Sequence, residues 1–389
     1  MIKKILALFL FWRLSLFFIS FLAVIFIPSF GGSFPYYNVV LQTTNLPSWI
    51  WGFGNFDGVH YLRIAQNGYD AQFSQAFFPL FPLLIRLLNL FPKNLALNTE
   101  IYVDPSFFFT GIVLPNIIFL LGLILFYKLI RVDFSTKIAF GSLILLLSFP
   151  TSFYFGAVYT ESLFLLLVLG AFYFIRKGNF LAAGVLSALA SATRVLGLLL
   201  LPVVLVEFFL KIKKGEINLK SSQLAKAMIG ILIAPFGTLL YMMYLRLNFD
   251  SPLYFLSSQP AFGAQRSENL IFLPQVIYRY LKIFMTVPMQ SQLFFNAALE
   301  FYFTIVILLY LLFFVKKLRI SYLIFILGSL IVPTLTGTLS SMPRYSLMAF
   351  LLLPYVVQSL KRYYLLLVGF FIIIGTILVS LFTRGYWVA

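Results

Sequence analysis

The chain has 389 residues, of which 62% are hydrophobic and only 10% are charged, against roughly half and a quarter in soluble domains. This composition excludes an ordinary soluble globular protein. The net charge of +17 does not indicate nucleic-acid binding, because the lysines and arginines lie in short clusters between apolar runs. Cysteine is absent, which excludes a disulfide framework and a catalytic thiolate.

Apolar runs recur along the chain, and most are long enough to cross a hydrocarbon core of roughly 30 Å. We therefore expect an all-α polytopic membrane protein, since a β-barrel would show short segments of alternating polarity instead. The first run shows no clear cleavage site of small residues, which favours a retained helix. Residues 1–389 are expected to form a single transmembrane domain, with about eleven spans near 5–28, 106–127, 138–154, 158–175, 179–193, 195–210, 227–247, 294–315, 320–339, 345–359 and 363–382.

The positive charges predict a cell-membrane protein with a cytoplasmic N-terminus. Two outer loops are then long, residues 29–105 and 248–293, and long irregular segments of compact proteins are usually functional. Two amphipathic pieces of the first loop, near 58–67 and 81–90, are expected to lie at the membrane interface. The inner loops would hold Lys128, Arg131, Lys137, Arg176, Lys177, Lys211, Lys213, Lys214, Lys220, Lys226, Lys316, Lys317, Arg319, Lys361 and Arg362.

The carboxylates sort unevenly in this topology. Asp133, Glu207 and Glu216 fall on the cytoplasmic side. The other eight fall outside, which places any carboxylate chemistry there: Asp57, Asp70, Glu100, Asp104, Glu161, Asp250, Glu268 and Glu300.

The sequence lacks the residue patterns that several kinds of catalytic or binding site require. No Asp-x-Asp pair is present to hold a metal-bound nucleotide sugar, and no Gly-x-x-x-x-Gly-Lys loop is present for ATP. One histidine and no cysteine cannot make a zinc site of the usual kind. The Gly-x-Ser-x-Gly turn of many serine hydrolases is also absent.

The lone histidine, His60, follows Asp57 by three residues and precedes Tyr61, with Arg63 nearby. Spacings of three and four place Asp57, His60 and Tyr61 on one face of a helix, which makes them candidate functional residues. The alternative interpretation is that Asp57 is only the N-cap of an interfacial helix.

Three further polar residues interrupt apolar sequence at predicted outer helix ends: Glu161, Arg194 and Arg344. A carboxylate near the hydrocarbon boundary is costly, and arginines there need a partner or a phosphate. The alternatives are interface solvation or helix capping for Glu161, and snorkelling to headgroups for the arginines. Arg266 and Arg279 of the second long loop are weaker candidates.

An extracytoplasmic site has no nucleotide available, and sugar donors used there are usually carried on polyprenyl phosphate. A phosphate leaves without a general acid, so one carboxylate suffices to take the proton of the acceptor hydroxyl. Cationic groups would offset the charge that grows on the phosphate. The outer residues of this chain supply that set.

The segment Phe56–Tyr69 resembles the Trp-Asp-Gly-x-His-Tyr-Leu-x-Ile-Ala-x-x-Gly-Tyr motif of PIG-V-like mannosyltransferases. Residues 76–86 look like the Phe-Phe-Pro-x-x-Pro-Leu segment that follows it. Later matches in order and rough spacing are Tyr159–Phe164, Thr193-Arg194 with Gly197, and Pro343-Arg344-Tyr345.

The resemblance implies a GT-C glycosyltransferase that transfers mannose, with inversion, from polyprenyl-phosphate mannose. It also implies a catalytic aspartate in the first outer loop, here Asp57. His60, Tyr61, Glu161, Arg194 and Arg344 are the expected substrate-binding residues. Phe56 stands where tryptophan is common, and Val195-Leu196 precede Gly197 where a polar residue is often seen.

The expected partners are a polyprenyl-phosphate sugar, membrane lipid and a lipid-linked or cell-surface glycan acceptor. No cofactor is required, although the site leaves room for a divalent metal. Compact loops and short tails favour a prokaryotic protein, whose acceptor would differ from the glycosylphosphatidylinositol intermediate of eukaryotic members. The alternatives are a GT-C transferase with another sugar or a protein acceptor, a lipid-linked sugar transporter or flippase, and a scaffold without activity.

Overall fold

The computed structural model describes residues 1–32, 34–90, 103–216 and 222–388. In these ranges every regular element is a helix. Glu100, Lys220 and part of the first predicted outer loop lie outside the described residues. The chain divides into two compact units, residues 1–166 with 356–388 and residues 167–355, and the boundaries fall within two helices, Glu161–Arg176 and Leu353–Leu360.

The first unit carries α1 (Ile2–Phe26), α2 (Tyr37–Val40), α3 (Ser48–Trp51), α4 (Asp57–Asn67), α5 (Leu80–Leu87), α6 (Pro105–Ile130), α7 (Thr136–Ser148), the start of α8 (Glu161–Arg176) and, near the C-terminus, α19 (Tyr364–Thr383). Its long helices α1, α6 and α19 satisfy their backbone groups internally, as a membrane requires. Asp104 caps α6 by accepting the Ser106 N–H at 2.8 Å, and proline follows at position 105.

The second unit holds α9 (Phe180–Thr193), α10 (Leu200–Lys213), α11 (Ser222–Ile233), α12 (Phe236–Phe249), α13 (Tyr254–Ser257), α14 (Leu273–Thr286), α15 (Gln292–Phe314), α16 (Ile320–Thr334), α17 (Met342–Tyr345) and the start of α18 (Leu353–Leu360). Short 3₁₀ turns complete the chain: Gln42–Thr44, Gly52–Gly54, Ser74–Ala76, Ser152–Gly156, Val195–Leu199, Gln259–Phe262, Ser346–Leu352 and Lys361–Tyr363.

Glycines let the helices of the second unit approach closely. A Cβ on Gly184 of α9 would lie 2.0 Å from the Gly230 oxygen of α11, and a Cβ on Gly237 of α12 would lie 1.9 Å from the Ala188 oxygen. Helices in lipid associate through such small-residue contacts, because lipid tails are as apolar as leucine side chains.

The predicted class is confirmed: the protein is an all-helical, multi-pass membrane protein. Six apolar segments of the described chain are long enough to cross a membrane: Ile2–Phe26, Pro105–Ile130, Val195–Lys213, Ser222–Phe249, Gln292–Phe314 and Met342–Thr383. Shorter apolar helices are Thr136–Ser148, Phe180–Thr193 and Ile320–Thr334. A helix overlaps each of the eleven predicted runs, but the number of crossings stays a prediction.

Two local predictions bear on the candidate site. Helices α4 and α5 lie where the two amphipathic pieces were predicted, although α5 ends at Leu87 and not at residue 90. The apolar residues of α4 are buried within the first unit, where α4 packs on α5 and α6. The predicted break at Arg194 is also confirmed, because α9 ends at Thr193 and Arg194 is extended, with φ −156° and ψ 145°.

We expect Gly184→Ala to lower the thermal midpoint of unfolding in detergent, because its Cβ would meet a backbone oxygen that cannot move independently of α11. Overpacking of this kind costs about 1–3 kcal/mol. The matched control is Gly369→Ala in α19, where a Cβ meets nothing within 4 Å. Equal midpoints for the two variants would contradict close packing at Gly184.

Candidate active site

Asp57 is the first residue of α4, and the residue before it has a strained backbone. Phe56 has φ 59° and ψ −116°, a conformation that L-residues rarely adopt and that costs of order 1–3 kcal/mol. The interpretation of Asp57 as the N-cap is wrong, because Phe56 occupies the N-cap position without a side-chain cap. Because Asp57 lies in the first turn of α4, the positive end of the helix dipole stabilises its carboxylate.

Hydrogen bonds on both sides hold the strained turn. The Asn55 side-chain amide donates to the Phe382 carbonyl oxygen at 2.8 Å. The Tyr159 hydroxyl donates to the Asn55 carbonyl oxygen at 2.9 Å and accepts the Asp57 N–H at 3.3 Å. The Phe56 ring packs against three other rings, with centroid distances of 4.4, 5.8 and 5.0 Å to Phe34, Phe382 and Trp387.

His60 follows one turn later and interacts electrostatically with Asp57 and Arg63. Its ring stacks on Phe77, with centroids 4.9 Å apart. Burial is the main cause that lowers the pKa of His60 below its usual 6.5, with Arg63 acting in the same direction and Asp57 against it. The imidazole is therefore neutral at pH 7, so it can donate one hydrogen bond and accept another.

Tyr61 and Arg63 are already engaged within the first unit. The Tyr61 ring packs edge-on against Phe77 and Phe81, with centroids 5.1 and 5.4 Å away. Arg63 forms a two-point ion pair with Asp70, at 3.0 and 3.2 Å. The substrate role of Tyr61 stays a prediction, whereas Arg63 is held by a carboxylate of its own loop.

Glu161 is the first residue of α8 and is 0% exposed. Its alternative interpretation as a solvated interface residue is therefore wrong. It follows Tyr159 by two residues in a fully buried stretch of chain, Thr151 to Ser162. A buried carboxylate that the protein keeps despite its desolvation cost is a candidate for function.

The second unit gathers three arginines around Tyr345. The guanidinium carbon of Arg194 lies 5.0 Å from the centre of the Tyr345 ring, and that of Arg344 lies 6.0 Å from it. Both groups and the Arg266 guanidinium interact electrostatically with the Tyr345 hydroxyl. Arg266 also donates to the Ser341 hydroxyl at 3.5 Å and to the Gln259 side-chain oxygen at 3.3 Å. We call Arg194, Arg266, Arg344 and Tyr345 the arginine cluster.

The arginine cluster corrects two sequence-based interpretations. Arg344 is only 8% exposed, so it does not snorkel towards headgroups. Arg266, a weaker candidate from the sequence, joins the cluster, while Arg279 instead donates to the Gly337 carbonyl oxygen at 2.9 Å. Several guanidinium groups that lie close together in the protein interior favour binding of an anion such as phosphate.

The structure thus groups the predicted residues in two sets, with Asp57, His60, Tyr61 and Glu161 in the first unit and Arg194 and Arg344 in the second. Tyr159 and Tyr345 were not predicted as site residues, although both lie inside the motifs that carried the family resemblance. In the described ranges, no three histidine, aspartate or glutamate side chains group closely enough to hold a metal ion.

The sequence model of one protein family matches most of the chain. The model is described as mannosyltransferase (PIG-V) and covers residues 2–281. These residues include the Asp57 turn, Glu161, Arg194 and Arg266. No curated protein sequence matches the chain.

Solved structures of the Archaeoglobus fulgidus oligosaccharyltransferase are similar to the chain at low identity. The complex with zinc and sulfate is 16% identical, with a TM-score of 0.46, and the match covers 85% of this chain and 49% of that one. The complex with an inhibitory peptide and a dolichol-phosphate is 14% identical, with a TM-score of 0.46, and covers 96% and 56%. The chain spans about half the length of these structures.

The protonation state of His60 can be measured directly, because the chain has a single histidine. We expect the His60 pKa, followed by NMR of histidine-labelled protein in nanodiscs, to lie below 6.5. Asp57→Asn should lower it further, because the carboxylate favours the charged imidazolium, and Arg63→Gln should raise it. If neither substitution changes the pKa of His60, this electrostatic arrangement is contradicted.

Proposed function

Since this chain belongs to the PIG-V family of mannosyltransferases, we propose that it transfers mannose from polyprenyl-phosphate mannose to a glycan or glycolipid acceptor. The reaction inverts the anomeric carbon and takes place on the extracytoplasmic side of the cell membrane. The N-terminus lies in the cytoplasm. The arginine cluster is the observation that carries the proposal, because it offers several cations to one anionic group.

The arginine cluster would bind the phosphate of the donor. Arg194, Arg266 and Arg344 all lie on segments that the charge pattern assigns to the extracytoplasmic side. Their guanidinium groups would hold the phosphate in the ground state and stabilise the second negative charge that it gains as the sugar leaves. The Tyr345 hydroxyl, already within reach of these charges, would donate to a phosphate oxygen.

Asp57 would act as the base. As the glycosidic C–O bond to phosphate breaks, an acceptor hydroxyl attacks the anomeric carbon, and its proton passes to the Asp57 carboxylate. The phosphate leaves with the bonding electron pair, so no second protein acid is needed. The rigid turn at Phe56 would hold this carboxylate in place at the start of α4.

The other residues of the first unit would bind the sugars. His60, neutral at pH 7 and next to Asp57, would accept or donate one hydrogen bond to the acceptor. Glu161, at the start of α8, would orient a hydroxyl of the transferred sugar. The edge of the Tyr61 ring would contact the acceptor. If the donor carried a different sugar, or if the acceptor were a protein, the same bonds would break and form.

We expect Asp57→Asn to lower the rate of transfer from labelled polyprenyl-phosphate mannose by at least about 100-fold in membranes, because removal of a general base costs roughly 10²–10⁴-fold. The matched control is Asp70→Asn, a carboxylate of the same loop that is paired with Arg63. The control should retain most activity. A wild-type rate in Asp57→Asn would exclude its role as the base.

We expect Arg344→Gln to raise the apparent KM for the lipid-linked donor by about 10-fold or more, since a buried charge-assisted contact is worth roughly 1.5–3 kcal/mol. The control is Arg246→Gln, in which an exposed arginine of α12 is changed. Titration of the initial rate against donor concentration measures both. An unchanged KM in Arg344→Gln would mean that the arginine cluster does not bind donor phosphate.

A further inference from the structure

The Tyr159 hydroxyl makes two bonds to the strained turn in front of α4. It donates to the carbonyl oxygen of Asn55 and accepts from the N–H of Asp57, so it bridges the residues on either side of Phe56. Tyr159 itself is 0% exposed and is fixed by ring contacts to Tyr154 and Phe382, at 4.9 and 5.9 Å. The phenol is therefore a rigid support, not a mobile surface group.

The two hydrogen bonds of Tyr159 hold the peptide groups on either side of Phe56, which stabilises the strained conformation of this residue. At φ 59° and ψ −116°, Phe56 would relax towards an ordinary conformation unless the flanking peptide groups were held. Such a relaxation would rotate the peptide unit that enters Asp57 and so re-aim its carboxylate. A hydroxyl can donate to Asn55 and accept from Asp57 at the same time, whereas a phenylalanine ring in the same place can do neither.

The same contact belongs to a set that joins the segment of Asp57 to the segment before Glu161. The Val158 N–H donates to the Phe53 carbonyl oxygen at 3.0 Å, one step along from the Tyr159 bridge. Gly58 packs on Val158, where a Cβ would lie 3.4 Å from the valine side chain. The segment before Glu161 is thereby joined at three points to the segment that carries Asp57, so movement of one would be transmitted to the other.

We propose that Tyr159 is a positioning residue, which fixes the direction of the Asp57 carboxylate and its relation to Glu161 by bridging the strained Phe56 turn. The proposal rests on the proposed function, because it assigns Asp57 the role of base. Tyr159 touches neither sugar nor phosphate in this role. Its effect should therefore fall on the chemical step and leave donor binding unchanged.

The experiment compares Tyr159→Phe with Tyr127→Phe, which removes the hydroxyl of another buried tyrosine of the first unit, in α6. Transfer from labelled polyprenyl-phosphate mannose gives kcat and the donor KM, and thermal unfolding in detergent gives the midpoint. We expect Tyr159→Phe to lower kcat by about 10- to 100-fold, as misplacement of a catalytic group does. The donor KM should stay within about 2-fold, and the midpoint, although lowered by the loss of two buried hydrogen bonds, should stay above the assay temperature.

A double substitution tests whether Tyr159 acts through Asp57. In the Asp57→Asn background, Tyr159→Phe should change the residual rate by less than about 2-fold, because there is no longer a base to misplace. Tyr159→Phe activity equal to that of Tyr127→Phe would overturn the inference while leaving the base role intact. A raised donor KM would also overturn it, because that indicates a role in donor binding, and so would a midpoint below the assay temperature, because the lost activity would then be lost folded protein. A wild-type rate in Asp57→Asn would overturn the proposed function itself.

Discussion

The cost of keeping ionised groups away from water constrains this protein more than any other interaction. The chain has 11 carboxylates in 389 residues, yet it buries Glu161 completely and Arg344 almost completely. A charge placed in such surroundings costs several kcal/mol unless other groups of the protein compensate it. Buried ionisable side chains such as these are therefore informative, because apolar residues at those positions would fold at lower cost.

Each of the two units carries its own set of charged residues. In the first unit, a strained turn and the start of a helix direct Asp57, and a neutral histidine lies beside it. In the second, guanidinium groups converge on a tyrosine. Transfer from a lipid phosphate would need one base and one stabilised leaving group, and the two sets of residues offer groups of these two kinds.

The sequence predicted the membrane class, the helix break at Arg194 and the start of α4 within one residue, because these follow from hydropathy and from local polar residues. It indicated Arg194 and Arg344 as substrate-binding residues but could not place Arg266 beside them, since Arg266 and Arg344 are 78 positions apart and nothing local joins them. It also could not show the Phe56 turn, because phenylalanine rarely adopts positive φ and the contacts that stabilise this turn, the Tyr159 bridge, the Asn55–Phe382 hydrogen bond and three ring contacts, come mostly from distant parts of the chain. The alternative interpretation of Asp57 as an N-cap was wrong because Phe56 takes that position.

The most direct measurement of the central claim uses purified protein in nanodiscs with extracted membrane lipids as acceptors and two labelled donors, polyprenyl-phosphate mannose and a nucleotide-activated mannose. Transfer to the lipid fraction from the polyprenyl-phosphate donor alone, with inverted anomeric configuration in the product, is the predicted result. Transfer from the nucleotide donor in the absence of polyprenyl phosphate, or retention of configuration, would contradict the account.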